Sequence, residues 1–161
     1  MLRSVLLCAV LLCTSTLRAQ STEPLAVLGP DGAVRTLAAP QLQTLPRVRG
    51  NAAAHNARFS FEGYDLRDVL RLAGVTPLDS LRGRQLRRVV VFIGADGYSA
   101  LIALSDLDPS IGGRRATLVD REDDQALPSE RGPRRIIIEG DQRPSRWVRQ
   151  VVRIEVRDLP D

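Results

Sequence analysis

Beyond residue 23 the apolar residues of this chain come in short, mostly β-branched runs, cut by glycine, proline and acidic clusters. Such spacing predicts strands more often than helices. Leu25 to Leu28 and Ala33 to Leu37 flank the turn cluster Gly29-Pro30-Asp31-Gly32 and read as a hairpin. Pro40 to Leu45 reads as a short helical turn closed by Pro46. Arg58 to Glu62 alternates and leads into Gly63-Tyr64, a strand followed by a turn. Leu66, Val69, Leu70 and Ala73 then recur at helical spacing, with Asp65 as N-cap and Gly74 as C-cap. Val89 to Ile93 is a buried-strand run; Asp96-Gly97 turns it back into Tyr98 to Leu104. Ser105 to Pro109 is a capped turn. Thr117 to Val119 and Ile136 to Ile138 are two further strands, joined by a polar loop from Asp120 to Pro133. Trp147-Val148 and Val151 to Val156 close the chain. The pattern predicts one α+β domain over residues 20–161, a mixed β-sheet with few short helices, with Leu70, Val90, Phe92, Ile137 and Trp147 in its core.

The first residues follow a different rule. Arg3 precedes an apolar stretch from Val5 to Leu12, and small polar residues lead to Leu17-Arg18-Ala19. This is the layout of a secretory signal peptide cut near Ala19, with an apolar stretch too short to span a bilayer as a helix. Cys8 and Cys13 are each preceded by leucine, which disfavours lipid attachment at either. Cleavage removes both cysteines, so the exported domain has neither disulfide nor thiolate, in a compartment that would permit disulfides.

All 23 basic residues are arginine, which points to a GC-rich bacterial coding sequence and hence to the periplasm. The formal charge of +4 is small, its signs are interspersed, and aromatics make up 4% of the chain, so nothing forms the basic, stacking surface of a nucleic-acid binder.

Three stretches taken in order carry a resemblance. They are Phe61-Glu62-Gly63-Tyr64-Asp65-Leu66 through Ala73-Gly74-Val75; Val89 to Phe92 with Ala95-Asp96-Gly97-Tyr98 and Leu107-Asp108-Pro109; and Ile136 to Gly140 with Asp141-Gln142-Arg143-Pro144-Ser145-Arg146-Trp147. Over about residues 44–157 the chain resembles the oxidoreductase molybdopterin-binding domain, the sulfite oxidase-type fold. The resemblance implies a molybdopterin cofactor whose molybdenum takes one cysteine thiolate from the protein, a soft ligand suited to it. That ligand is expected between Arg47 and Phe59, where the chain reads RVRGNAAAHNARF and has no cysteine. The chain is therefore similar to short secreted relatives that keep the scaffold without the ligand.

The candidate site follows from the same comparison. Arg143, Ser145 and Arg146 match the stretch that catalytic relatives place near the cofactor, and their guanidinium forks and hydroxyl suit a phosphate. Tyr98 is a candidate wall of a ligand groove. His55, the sole histidine, lies near the expected ligand position, but one imidazole does not make a metal site. No nucleophile elbow accompanies it as a base. The acidic group Asp120, Glu122, Asp123 and Asp124 lacks the spacing and glycine of a calcium loop and reads as a solvated connection. Gly112-Gly113 has no following Lys-Ser/Thr and reads as a turn. The expectation is a non-catalytic periplasmic binding or accessory module for a small anionic or pterin-like ligand or a protein partner. The alternative is a molybdopterin-dependent oxidoreductase with a non-cysteine metal environment.

Overall fold

The computed structural model describes residues 23–160, so the expected signal peptide and both cysteines lie outside the described residues. Among the described residues ten strands form two sheets. The first, sheet A, has the order β2–β1–β10–β5–β6, from Val34–Leu37, Leu25–Leu28, Val151–Asp158, Arg88–Gly94 and Ser99–Ala103. Its β1–β10 pair is parallel and its other pairs antiparallel, so the sheet is mixed. Sheet B runs β3–β4–β7–β8, from Arg47–Ala54, Ala57–Asp65, Ala116–Glu122 and Gln125–Ala126, with β9 (Arg135–Ile138) also paired to β7.

Among the described residues three short α-helices punctuate the strands: α1 (Ala39–Leu42), α2 (Leu66–Leu72) and α3 (Leu104–Leu107). Among the described residues no helix is long and apolar enough to cross a membrane. Helix α2 forms where the helical spacing predicts it. The Asp65 carboxylate accepts from the Arg67 backbone N–H at 2.9 Å, satisfying one orphan donor of the first turn. Gly74 ends the helix at φ +74°, and Leu66, Val69 and Leu70 form its buried stripe.

The anticipated core residues are inside: Leu70, Val90, Phe92 and Ile137 are fully buried and Trp147 nearly so. Fully burying such an aliphatic side chain is worth roughly 1.5–3 kcal/mol. Asp108 is buried too, but fully engaged. Its carboxylate accepts from the Leu81 N–H at 2.8 Å and from the Ser110 hydroxyl and N–H at 2.6 and 2.8 Å. Those hydrogen bonds, that of the Ser110 hydroxyl first, hold its pKa below the usual carboxylate range. The expected capped turn at Ser105 to Pro109 is thus α3 plus a carboxylate that ties Ser80-Leu81 to it.

Two expectations need correction. Gly63-Tyr64 does not turn: β4 runs straight through to Asp65, with a register shift at Glu62/Gly63 against β7. A Cβ on Gly63 would stand 2.2 Å from the Leu118 carbonyl oxygen, so glycine is there to let two backbones approach. The segment ahead of it forms a full strand, β3, turned into β4 by His55 and Asn56 at φ +51° and +66°. The acidic stretch is not all solvated connection. Asp123 and Asp124, both at positive φ, make the tight turn between β7 and β8, while Glu122 is buried.

Candidate functional site

Two chain segments face each other across an open cleft of about 640 Å³. One wall is the β3–β4 hairpin tip, Ala53, Ala54, His55 and Asn56; the other is the loop Gln142, Arg143, Pro144 and Ser145. The hairpin tip is placed by the positive-φ pair His55-Asn56, an arrangement matching the right-handed twist of the flanking strands. The opposite loop leaves β9 through Gly140 at φ +84° and passes a single 3-10 turn, Pro144–Arg146, opened by proline.

An aromatic and cationic junction joins the two walls. Phe59, on β4, meets Trp147 edge-on, with ring centroids 6.4 Å apart and planes at 82°. The Arg135 guanidinium lies over both rings, 5.9 Å from the Phe59 centroid and 5.7 Å from that of Trp147. The indole N–H donates to the Ile138 carbonyl at 3.2 Å. Arg135 in turn donates to Glu122 at 2.7 Å, and Arg131 pairs with the other oxygen of Glu122 at 2.9 Å. Burial pushes the Arg135 pKa down, and Glu122 opposes that shift. The distance between the cleft walls therefore rests on a cation held between two rings and one carboxylate.

Of the residues singled out in the sequence, the structure brings His55, Arg143 and Ser145 to this one cleft. Tyr98 is not in its lining; its hydroxyl donates to the Ser145 carbonyl at 2.5 Å, bracing the loop from the β5–β6 turn. Arg146 is turned away as well. It forks onto Asp141, with Nε 3.2 Å from one oxygen, and Arg114 approaches the same carboxylate at 3.3 Å. Arg146 thus neutralises a buried acid, whereas Arg143 forms no ion pair among the described residues. Among the described residues no carboxylate lines the cleft, so it presents a free guanidinium, an imidazole, a hydroxyl and two side-chain amides. Asn56 and Gln142 were not among the sequence candidates, since isolated amides carry no spacing signal. Arg135 could have been suspected, because an arginine opening the apolar run Ile136 to Ile138 must find a partner inside.

A second depression of about 390 Å³ lies on sheet B, beside Arg47, Arg49, Glu62, Tyr64 and Asp120. Its charges answer one another. Arg47 donates to Asp120 at 2.6 and 2.8 Å and to Glu62 at 2.7 Å, and sits 4.7 Å over the Tyr64 ring. Hydrogen bonding to Asp120 raises the Arg47 pKa, and the bond from Arg47 lowers that of Glu62. Nothing there calls for a ligand.

With this geometry in hand, the comparisons identify the class. The chain belongs to the oxidoreductase molybdopterin-binding domain family, whose model matches residues 19–161. Its structure is similar to that of the sulfane dehydrogenase SoxCD from Paracoccus pantotrophus, at 17% identity and a TM-score of 0.66. The match covers 88% of this chain and 39% of the SoxCD chain, and at that identity it shows the fold, a sulfite oxidase-type molybdopterin domain. No curated protein sequence matches the chain.

The cofactor can be tested against the donor set. A phosphate fits the fork of Arg143, the hydroxyl of Ser145 and the amides of Asn56 and Gln142. Molybdenum does not fit. The described residues offer no thiolate, and nowhere do three histidine, cysteine or carboxylate side chains gather as a metal set.

Proposed function

We propose that this domain is a periplasmic, non-catalytic binding module, and that its cleft holds a small oxyanion, the phosphate end of a pterin or a ligand of like chemistry. One observation carries the reading: Arg143, without an ion-pair partner, converges with His55 and Ser145 on a cleft that has neither carboxylate nor thiolate. A guanidinium binds an oxyanion through two parallel N–H donors, and the neighbouring hydroxyl and amides fix its orientation. In this reading the family scaffold is kept for recognition, and the redox chemistry of the metal is gone.

Calorimetric titration of the purified chain with pyrophosphate tests it. Arg143→Ala should lose one charge-assisted contact, on the order of 1.5–3 kcal/mol, or roughly ten- to a hundredfold in affinity. Equal affinity in the variant removes the cleft from consideration. Mass analysis of protein exported by its native host addresses the rest. It should show a chain beginning near Gln20 and less than stoichiometric molybdenum. One molybdenum per chain would return the reading to an oxidoreductase with a non-cysteine metal environment.

A further inference from the structure

The cleft stands at the end of an open sheet edge. Strand β3 is the first strand of sheet B, pairs among the described residues only with β4, and has no buried residue along its eight positions. The tight turn at His55-Asn56 sets which of its backbone groups are free. In a two-residue hairpin the flanking pair, here Ala54 and Ala57, is the hydrogen-bonded one. Counting back by alternation, Ala53, Asn51 and Arg49 direct their N–H and C=O groups away from β4. Among the described residues no backbone group pairs with that outward row.

Proteins normally blunt such an edge with charge, proline, a bulge or a covering segment. On β3 the only charges, Arg47 and Arg49, are at its start and both are drawn to Glu62. From Gly50 to Ala54 there is no charge and no proline, and the strand then delivers directly into the cleft that contains Arg143. A strand running parallel to β3 would bring its C-terminal end to that unpaired guanidinium.

We propose that β3 is a strand-addition site for an extended C-terminal peptide of a partner protein, paired parallel to β3 with its terminal carboxylate taken by Arg143. Main-chain hydrogen bonds along Arg49, Asn51 and Ala53 supply the affinity, and the carboxylate sets direction and register. The proposal rests on the anion-binding reading of the cleft and names the partner that brings the anion.

The test uses fluorescence anisotropy with an N-terminally labelled Thr-Val-Thr-Val-Thr-Val peptide bearing a free C-terminal carboxylate, alongside pyrophosphate calorimetry. The wild-type chain should bind the peptide, and the C-terminal amide at least tenfold more weakly. Asn51→Pro removes an outward N–H without touching the β4 ladder. It should lose peptide binding and keep pyrophosphate binding, whereas Arg143→Ala should weaken both. If circular dichroism shows Asn51→Pro unfolded, Arg49→Pro, one outward rung away, takes its place. Equal affinity for acid and amide, or for wild type and proline variant, overturns the proposal. Pyrophosphate binding without peptide binding also overturns it and leaves the cleft reading standing; loss of both sinks the two together. A dimer in light scattering that Asn51→Pro dissociates would assign the edge to a second copy of the chain instead.

Discussion

Glu122→Ala is expected to lower the stability of this domain by about 3–5 kcal/mol, the cost of leaving a buried charge without its partner. Both members of the Arg135–Glu122 pair are more than nine-tenths buried, at 7% and 6% side-chain exposure. Arg135 already has its Nε without a hydrogen-bond partner, so Glu122 is the acceptor that makes its burial tolerable. In a domain of this size the loss corresponds to a fall in Tm of roughly 10–20 °C, read by calorimetry. The double variant Glu122→Ala, Arg135→Met should recover much of it, since the buried guanidinium that lost its partner is then gone. A single variant that melts with the wild type would mean that water reaches Arg135 and that the junction between the cleft walls is loose. Trp147, the only tryptophan in the chain, reports on the same event. Its emission should shift to the red in Glu122→Ala before global unfolding.

The second large effect belongs to the apolar centre. Ile137→Ala removes a fully buried branched side chain from β9, which is paired to β7 on one side and receives the Val148 carbonyl through the Ile136 N–H on the other. With backbone fixed along both edges, the site cannot close over the void, and the expected cost is about 2–5 kcal/mol. Leu70→Ala on α2 should fall in the same range, measured by urea denaturation with an unchanged m-value. If both variants denature at the wild-type midpoint, the placement of β9 and α2 in the core is wrong.

How much could be read before the fold was seen depends on the kind of signal. Core strands such as Val89 to Ile93 and Ile136 to Ile138 are continuous runs of β-branched and aromatic residues, the composition of a buried strand. The turns at Gly29 to Gly32 and Asp96-Gly97 are marked by glycine. Strand β3 was hidden because RVRGNAAA neither alternates nor carries β-branched bulk, and its existence depends on pairing with β4. The turns at His55-Asn56 and Asp123-Asp124 put non-glycine residues at positive φ. Histidine, asparagine and aspartate tolerate that region, but a residue type that merely tolerates a turn does not predict one. Glu122 failed for a related reason. Surrounded by acids in sequence, it looks solvated, and only the long-range approach of Arg135 and Arg131 makes it an interior group.

The candidate site was legible by segment and not by side chain. The positions of Arg143 and Ser145 came from motif order, and His55 from proximity to an expected ligand. That Arg146 would turn to Asp141 while Arg143 remained unpaired is decided by Gly140 and Pro144, which fix the loop's path. Two arginines three residues apart thus do unlike work, one closing a buried ion pair and one facing the cleft.

The parallel pairing of β1 with β10 also governs the order in which the protein can come together. Strand β10, near the carboxyl end, lies between β1 and β5 at the middle of sheet A. Strand β1 therefore takes its neighbour from a segment more than a hundred residues further along the chain. Until they pair, sheet A is two separate hairpins, β1–β2 and β5–β6, with no shared ladder. Closing so long a loop is entropically slow, so the joining of the two hairpins through β10 is a late step in folding.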